Sequence, residues 1–221
     1  LDNFESAPVQ SIIKKQMGFD GRDRYDFVNS TINGRARTFI NSGIAYSGSK
    51  AITLDADRFV TAGNTDSLTG TFNLATFNAA TKDLRFDFRY KNHGQLTNAA
   101  NKVWIRSNDA GPWIEVYDLF ANQNIPGSFK RSSSIELSNI LLANATNFSS
   151  SFQVRFGQNG RNQATDNDGG AGYTFDDIII YEVQNDMQII SVDEPAGYNC
   201  SLTAATPIKV SVRNGSSTVL N

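Results

Sequence analysis

Apolar and polar positions alternate with a period of two through most of this chain. Residues 50–54, 68–74 and 84–90 each bring every second apolar side chain to one face, which predicts half-buried β-strands. Residues 102–107 and 113–117 repeat the pattern on either side of Asn108, Asp109, Ala110, Gly111 and Pro112. Turn formers clustered between two strands predict a β-hairpin there. Residues 152–157 and 175–183 complete the set. Helix-like spacing is confined to 11–17 and 134–143, a turn or two each. No repeat of about 20–50 residues points to a propeller or solenoid. Evenly spaced strands with polar turns predict an antiparallel β-sandwich.

The pattern shifts near residue 184. Residues 187–192 and 208–214 read as two further strands joined by a loop bearing Pro195, Gly197 and Pro207. Two strands are marginal alone, so residues 1–184 are expected to form the sandwich. Residues 185–221 are expected to be the first strands of an immunoglobulin-like domain, truncated here and continuing in a longer polypeptide. A terminal hairpin packed on the sandwich is the alternative.

Composition narrows the function classes. Charged residues make up 19% of the 221, the net charge is −2, and no Lys- or Arg-rich run occurs, which excludes a nucleic-acid footprint. One Cys and one His leave no intrachain disulfide and no Cys- or His-rich zinc site. No apolar run reaches the ~20 residues that span a bilayer, so no membrane insertion is expected. The chain does not begin with Met and is read as a processed or excised form. A charge-poor composition rich in Asn, Ser, Thr and Gly suits an extracellular or cell-surface β protein.

Enzyme chemistry finds little to work with. A nucleophile–His pair must use His93, which lies in a polar strand end, and no Gly-x-Ser-x-Gly elbow occurs. Nor is there a paired-carboxylate strand motif of the jelly-roll glycosidases. The stretch Asp166, Asn167, Asp168, Gly169, Gly170 begins like a calcium loop. It has Ala171 at the sixth position and Asp177 at the twelfth, so a solvated turn is expected. The 107–113 hairpin resembles an Asp-box one residue short, in which Asp109 would accept backbone hydrogen bonds above Trp113.

Two acidic clusters stand at the ends of the predicted sandwich: Asp2, Asn3, Phe4, Glu5 at the start and Phe175, Asp176, Asp177, Ile178 near its close. With the SGSKAITLD, FDFRYKNHG and KVWIRSNDAGPWIEV segments between them, these ends resemble MAM-like and carbohydrate-binding jelly rolls. The likeness is greatest to choice-of-anchor J modules of secreted Bacteroidetes proteins. The tail is similar to the opening of CARDB-type immunoglobulin-like domains. The resemblance implies an all-β, antiparallel jelly-roll sandwich of the concanavalin A-like or galactose-binding-like kind.

It further implies a non-catalytic adhesion or carbohydrate-binding module within a secreted multidomain protein. A structural spacer or protein-interaction module presenting a neighbouring domain is the alternative. Partners would be a carbohydrate or surface protein, and other domains of the same polypeptide. In the resembling families a structural calcium joins the two ends. Carried over, its ligands are Glu5 and Asp176, with Asp177 and Asp2 as neighbours. Alternation along a strand would let only one of Asp176 and Asp177 reach that site. For sugar contact the candidates are Tyr90, Trp104, Trp113 and Tyr117, with Tyr46 and Tyr173 also considered. The paired cysteines of animal MAM domains and the Trp that follows Phe-Glu in many sugar-binding relatives are absent.

Overall fold

A computed structural model of the chain describes residues 1–5, 7, 16–17, 24–38, 44–61, 63–94, 100–122, 127–164, 171–184, 187–195 and 203–214. In chain order the strands are β1 (Gln16–Met17), β2 (Tyr25–Asn29), β3 (Gly34–Arg37), β4 (Ile52–Ala56), β5 (Asn64–Phe72), β6 (Asp83–Asn92) and β7 (Lys102–Arg106). There follow β8 (Ile114–Asp118), β9 (Phe129–Arg131), β10 (Ile135–Glu136), the helix α1 (Leu137–Ala143), β11 (Phe152–Gly160), β12 (Tyr173–Val183), β13 (Met187–Glu194) and β14 (Lys209–Asn214). One sheet runs β1-β2-β5-β11-β7-β8, the other β10-β6-β12-β4-β3 with β9 also on β6. Every pairing is antiparallel. The chain passes repeatedly from one sheet to the other, as a jelly-roll sandwich requires.

Alternation places the core. Leu84, Phe86, Phe88 and Tyr90 of β6 face Phe152, Val154 and Phe156 of β11 and Val103 and Ile105 of β7, all buried. Phe88 is the hub: its ring centroid lies 5.2 Å from that of Phe156, 5.6 Å from Tyr117 and 6.0 Å from Phe175. Edge-on and tilted contacts of this kind add to the free energy of area burial. The helical expectation for 134–143 resolves into two residues of strand and then α1, whose Leu137 and Leu141 are buried. Ser138 fastens it to β6, accepting from Leu84 N (2.9 Å) and donating to the Lys82 carbonyl (2.5 Å). Of the helix expected over 11–17, residues 11–15 lie outside the described residues. Gln16 and Met17 are strand, paired to Asp26 and Tyr25 respectively.

The ends of the sandwich meet. Asp2 and Ile178 form an isolated antiparallel bridge, with Asp2 N donating to the Ile178 carbonyl (2.7 Å) and Ile178 N to that of Asp2 (2.9 Å). After the sandwich strands, β13 and β14 form a two-stranded sheet of their own among the described residues. Their register puts Ile189 opposite Val212 and Val192 opposite Val210, while Ser191, Asp193, Ser211, Gln188 and Arg213 bond one another. The hairpin is amphipathic, and its apolar side chains are exposed.

Candidate functional site

The acidic ends converge on one turn. Glu5 Oε1 accepts from Ser49 N and Lys50 N, each at 2.8 Å, and Oε2 accepts from Ser49 Oγ at 3.0 Å. Asp176 Oδ2 accepts from Tyr46 N (2.9 Å) and Ser47 N (3.0 Å), and Oδ1 from Asp177 N (2.7 Å). Asp177 Oδ1 accepts from Ser47 Oγ at 2.8 Å. Gly48, at φ +64, lets the turn close over Glu5, since a Cβ there would stand 2.4 Å from Oε1.

Neighbouring Asp176 and Asp177 both reach this turn, against the expectation from simple alternation. The reason is a β-bulge. The register on β6 steps from Asp176–Arg89 to Ile179–Asp87, and Asp177 takes φ +44. Inward-facing positions accordingly change from Tyr173 and Phe175 to Ile178 and Ile180. Asp2 is turned elsewhere, accepting from Arg24 Nη2 (2.6 Å) and Tyr25 Oη (2.7 Å).

The electrostatics follow these contacts. The backbone N–H groups of Lys50 and Ser49 hold the Glu5 carboxyl below its usual range. Burial pushes Asp176 up to about 6, against the pull of the N–H groups that bond it. Calcium binds oxygen donors, and the oxygens of Glu5 and Asp176 here face N–H and O–H groups. Among the described residues no group of three or more His, Cys, Asp or Glu is placed to hold a metal ion. The calcium-like stretch at 166–170 lies outside the described residues.

The predicted aromatics divide into two pairs. Tyr90 and Tyr117 are core residues, 1% and 6% exposed. Their hydroxyls lie 3.1 Å apart, and Tyr90 Oη donates to the Asn122 carbonyl (2.6 Å), so neither ring offers a face to a ligand. Tyr173 is likewise buried, and Tyr46 lies under the Arg89 guanidinium at 4.3 Å. Trp104 and Trp113 stay half-exposed on the outer face of the β1-β2-β5-β11-β7-β8 sheet.

That outer face is built by strand parity. On β11, Phe152, Val154 and Phe156 point inward, so Gln153, Arg155, Gly157 and Asn159 point out. Register sets Trp104 and Thr69 beside Arg155, and Arg106 and Thr71 beside Gln153. Gln153 Nε2 donates to Thr71 Oγ1 (2.8 Å) and Gln153 Oε1 accepts from Arg106 Nε (2.6 Å), while Arg155 Nε donates to Thr69 Oγ1 (3.2 Å). Arg155 and Arg106 both stack on the Trp113 ring, at 3.8 and 4.4 Å from its centroid. Gly157 supplies the space for Trp104, because a Cβ there would come within 2.6 Å of Cζ3. Between the two tryptophans lies an open groove of about 320 Å³ with Thr65, Ser67, Ala100, Arg155 and Gly157 on its walls. Asp66 also borders it but carries its carboxyl inward, where Oδ2 accepts from Gln158 Nε2 (2.7 Å).

Arg155, Arg106, Gln153 and Gly157 escaped the sequence reading. The signal was present: an outward Arg in each of two strands flanking an outward Trp, and a Gly where alternation calls for a side chain. Two smaller expectations change as well. The 108–112 turn is held by Asn108, whose Oδ1 accepts from Ala110 N (3.0 Å), while Asp109 bonds Ser151 Oγ (3.2 Å). Trp113 therefore packs against guanidinium groups and not beneath Asp109. His93 is buried, its Nε2 2.7 Å from Thr174 Oγ1.

No family model matches the sequence, and no curated protein matches it. Solved structures similar to the chain include carbohydrate-binding modules. A CBM61 module in complex with β-1,4-galactotriose shares 13% identity at a TM-score of 0.42, covering 82% of this chain and 94% of that one. The CBM22-1 xylan-binding domain of Paenibacillus barcinonensis Xyn10C shares 13% at 0.38, covering 74% and 88%. A further CBM 22 xylan-binding domain shares 8% at 0.38, covering 78% and 96%.

Proposed function

We propose that the chain is a non-catalytic, extracellular carbohydrate-binding module whose ligand lies across the outer face of the sheet that holds β7 and β11, in the groove between Trp104 and Trp113. The observation that carries the reading is the pairing of a half-exposed indole with fixed polar groups. Sugar rings offer C–H faces to stack and hydroxyls to hydrogen-bond, and Trp104 beside Arg155, Thr65 and Ser67 meets both needs. The hydrogen bonds from Arg155 to Thr69 and along Arg106, Gln153 and Thr71 hold these side chains in place before a ligand arrives, which lowers the ordering cost.

In this reading the Glu5–Asp176 end is closed by its own hydrogen bonds to the 46–50 turn and does not depend on calcium. Support comes from the N–H and O–H donors that face those carboxylates. The test is calorimetric titration with a panel of plant and animal polysaccharides, for the parent chain and Trp104→Ala. Binding by the parent that falls at least tenfold in the variant, with thermal unfolding kept, supports the site; no binding anywhere on the panel overturns it.

A second reading, a spacer that joins or presents neighbouring domains, draws on a different feature. The apolar face formed by Ile189, Val192, Val210 and Val212 is exposed on β13 and β14. It would gain from failure of the titration together with self-association that a charge at Ile189 abolishes.

A further inference from the structure

The outer face treats its cations unlike most enclosed arginines elsewhere in the fold, Arg89 on the Tyr46 ring being the exception. Arg24, Arg35, Arg37 and Arg85 are similarly enclosed, and each is held by an aspartate within 2.9 Å. Lys102, on the margin of the outer face, is bracketed by Glu115 (2.7 Å) and Asp118 (2.9 Å). Arg106 and Arg155 lie on neighbouring strands β7 and β11, and among the described residues no carboxylate forms an ion pair with either. Their partners are an amide, a hydroxyl and the face of Trp113. Asp26, in register with Thr69, is two strands from Arg155, about 10 Å away at ordinary strand spacing.

Two like charges thus share one indole with no counterion among the described residues. Burial and the charge of Arg106 both push the Arg155 guanidinium down from its ordinary value. Holding two guanidinium groups together in a half-buried place costs free energy that an anion would recover. Guanidinium geometry also favours planar or tetrahedral oxyanions over hydroxyls, because its paired N–H groups meet two oxygens at once. Arg155 lines the groove beside Trp104, so a ring stacked on the indole would bring a substituent to the guanidinium.

We propose, resting on the glycan-binding reading above, that the preferred ligand is an anionic polysaccharide whose carboxylate or sulfate groups are met by Arg155 and Arg106. Trp104 supplies the stacking surface, Trp113 fixes the guanidinium groups from behind, and Gln153 holds Arg106 in register. Neutral glycans would use the same groove more weakly, through the hydroxyls alone.

The test uses the full chain and charge-matched pairs: polygalacturonate against its methyl ester, dextran sulfate against dextran, with neutral galactan and xylan alongside. Binding to a charged polymer at least tenfold tighter than to its neutral partner, weakened by added salt and lost to a similar degree in Arg155→Gln, is the expected result. The pair that shows it distinguishes carboxylate from sulfate. A charged polymer that binds Arg155→Gln and the parent equally well overturns the proposal, since the attraction would then be diffuse. Equal binding of neutral and charged partners overturns it too, but leaves the glycan reading standing. Failure of every polymer, galactan and xylan included, overturns both. Arg106→Gln with the same titrations guards against a fold-specific failure of the first variant.

Discussion

The carboxylates at the closing end of the sandwich and the cations on its outer face are both charged groups held by a sheet, yet the fold uses them in opposite ways. Glu5 and Asp176 each accept three hydrogen bonds, mostly from backbone N–H groups of the 46–50 turn and the bulge. Arg106 and Arg155 meet one side-chain acceptor apiece and an indole. A charge whose bonding capacity is used up by the backbone is holding the fold together. One left with free N–H groups on the open face of a sheet is positioned for something outside the chain.

Substitution at the closing end gives the largest separation of these roles. Asp176→Ala strands the N–H groups of Tyr46, Ser47 and Asp177, each of which costs about 1–3 kcal/mol when left unpaired. Chemical denaturation should show a loss of about 3–5 kcal/mol, while glycan affinity of the folded fraction stays unchanged. A loss of binding at full stability would reverse the assignment.

Asp66 extends the contrast to pH. Burial raises its carboxyl from 3.8 to about 7, and Oδ1 has no hydrogen-bond partner. A raised acid pKa means that the folded state keeps a proton the unfolded chain releases. The contribution of Asp66 to stability is therefore full below about pH 4 and declines as pH rises toward 7, by up to about 4 kcal/mol. Asp66→Asn should flatten that decline in denaturation curves measured from pH 4 to 8. Asp176, raised to about 6, gives a smaller total decline of the same sign, complete at lower pH.

On the outer face the expected pattern is inverted. Trp104→Ala should lower glycan affinity at least tenfold, about 1.4 kcal/mol, and change stability by less than Asp176→Ala, because the indole is half-exposed. The smallest effect is expected from calcium. Melting temperature in millimolar calcium and in EDTA should coincide, whereas an ion bound to the folded state alone would raise it.

The sandwich was legible in the sequence because its strands put apolar side chains on one face and polar ones on the other, so period-two alternation marks β4, β6, β7 and β11 directly, even where, as in β4, both faces are buried. The meeting of the two ends could be anticipated from the acidic clusters. Their geometry could not, because the bulge at Asp177 breaks the parity on which face assignment rests. The aromatics were legible as a set and not individually. Tyr90, Trp104, Trp113 and Tyr117 look alike in alternating strands, and only strand parity and the layer each strand joins separate the two tyrosines of the core from the two tryptophans of the groove. Arg106 and Arg155 were invisible for a related reason. An outward Arg on a strand is ordinary, and its significance comes from a neighbour 49 positions away in sequence that shares the same Trp113 ring.

The account rests on where a glycan touches the protein, so the most direct measurement is a map of backbone amide chemical shifts during titration with polygalacturonate and with neutral galactan. The account predicts perturbations along Ser67–Thr71, Lys102–Arg106 and 153–157, with the indole N–H of Trp104 among the largest. Perturbations centred on the 46–50 turn and Asp176, with the outer face unmoved, would contradict it.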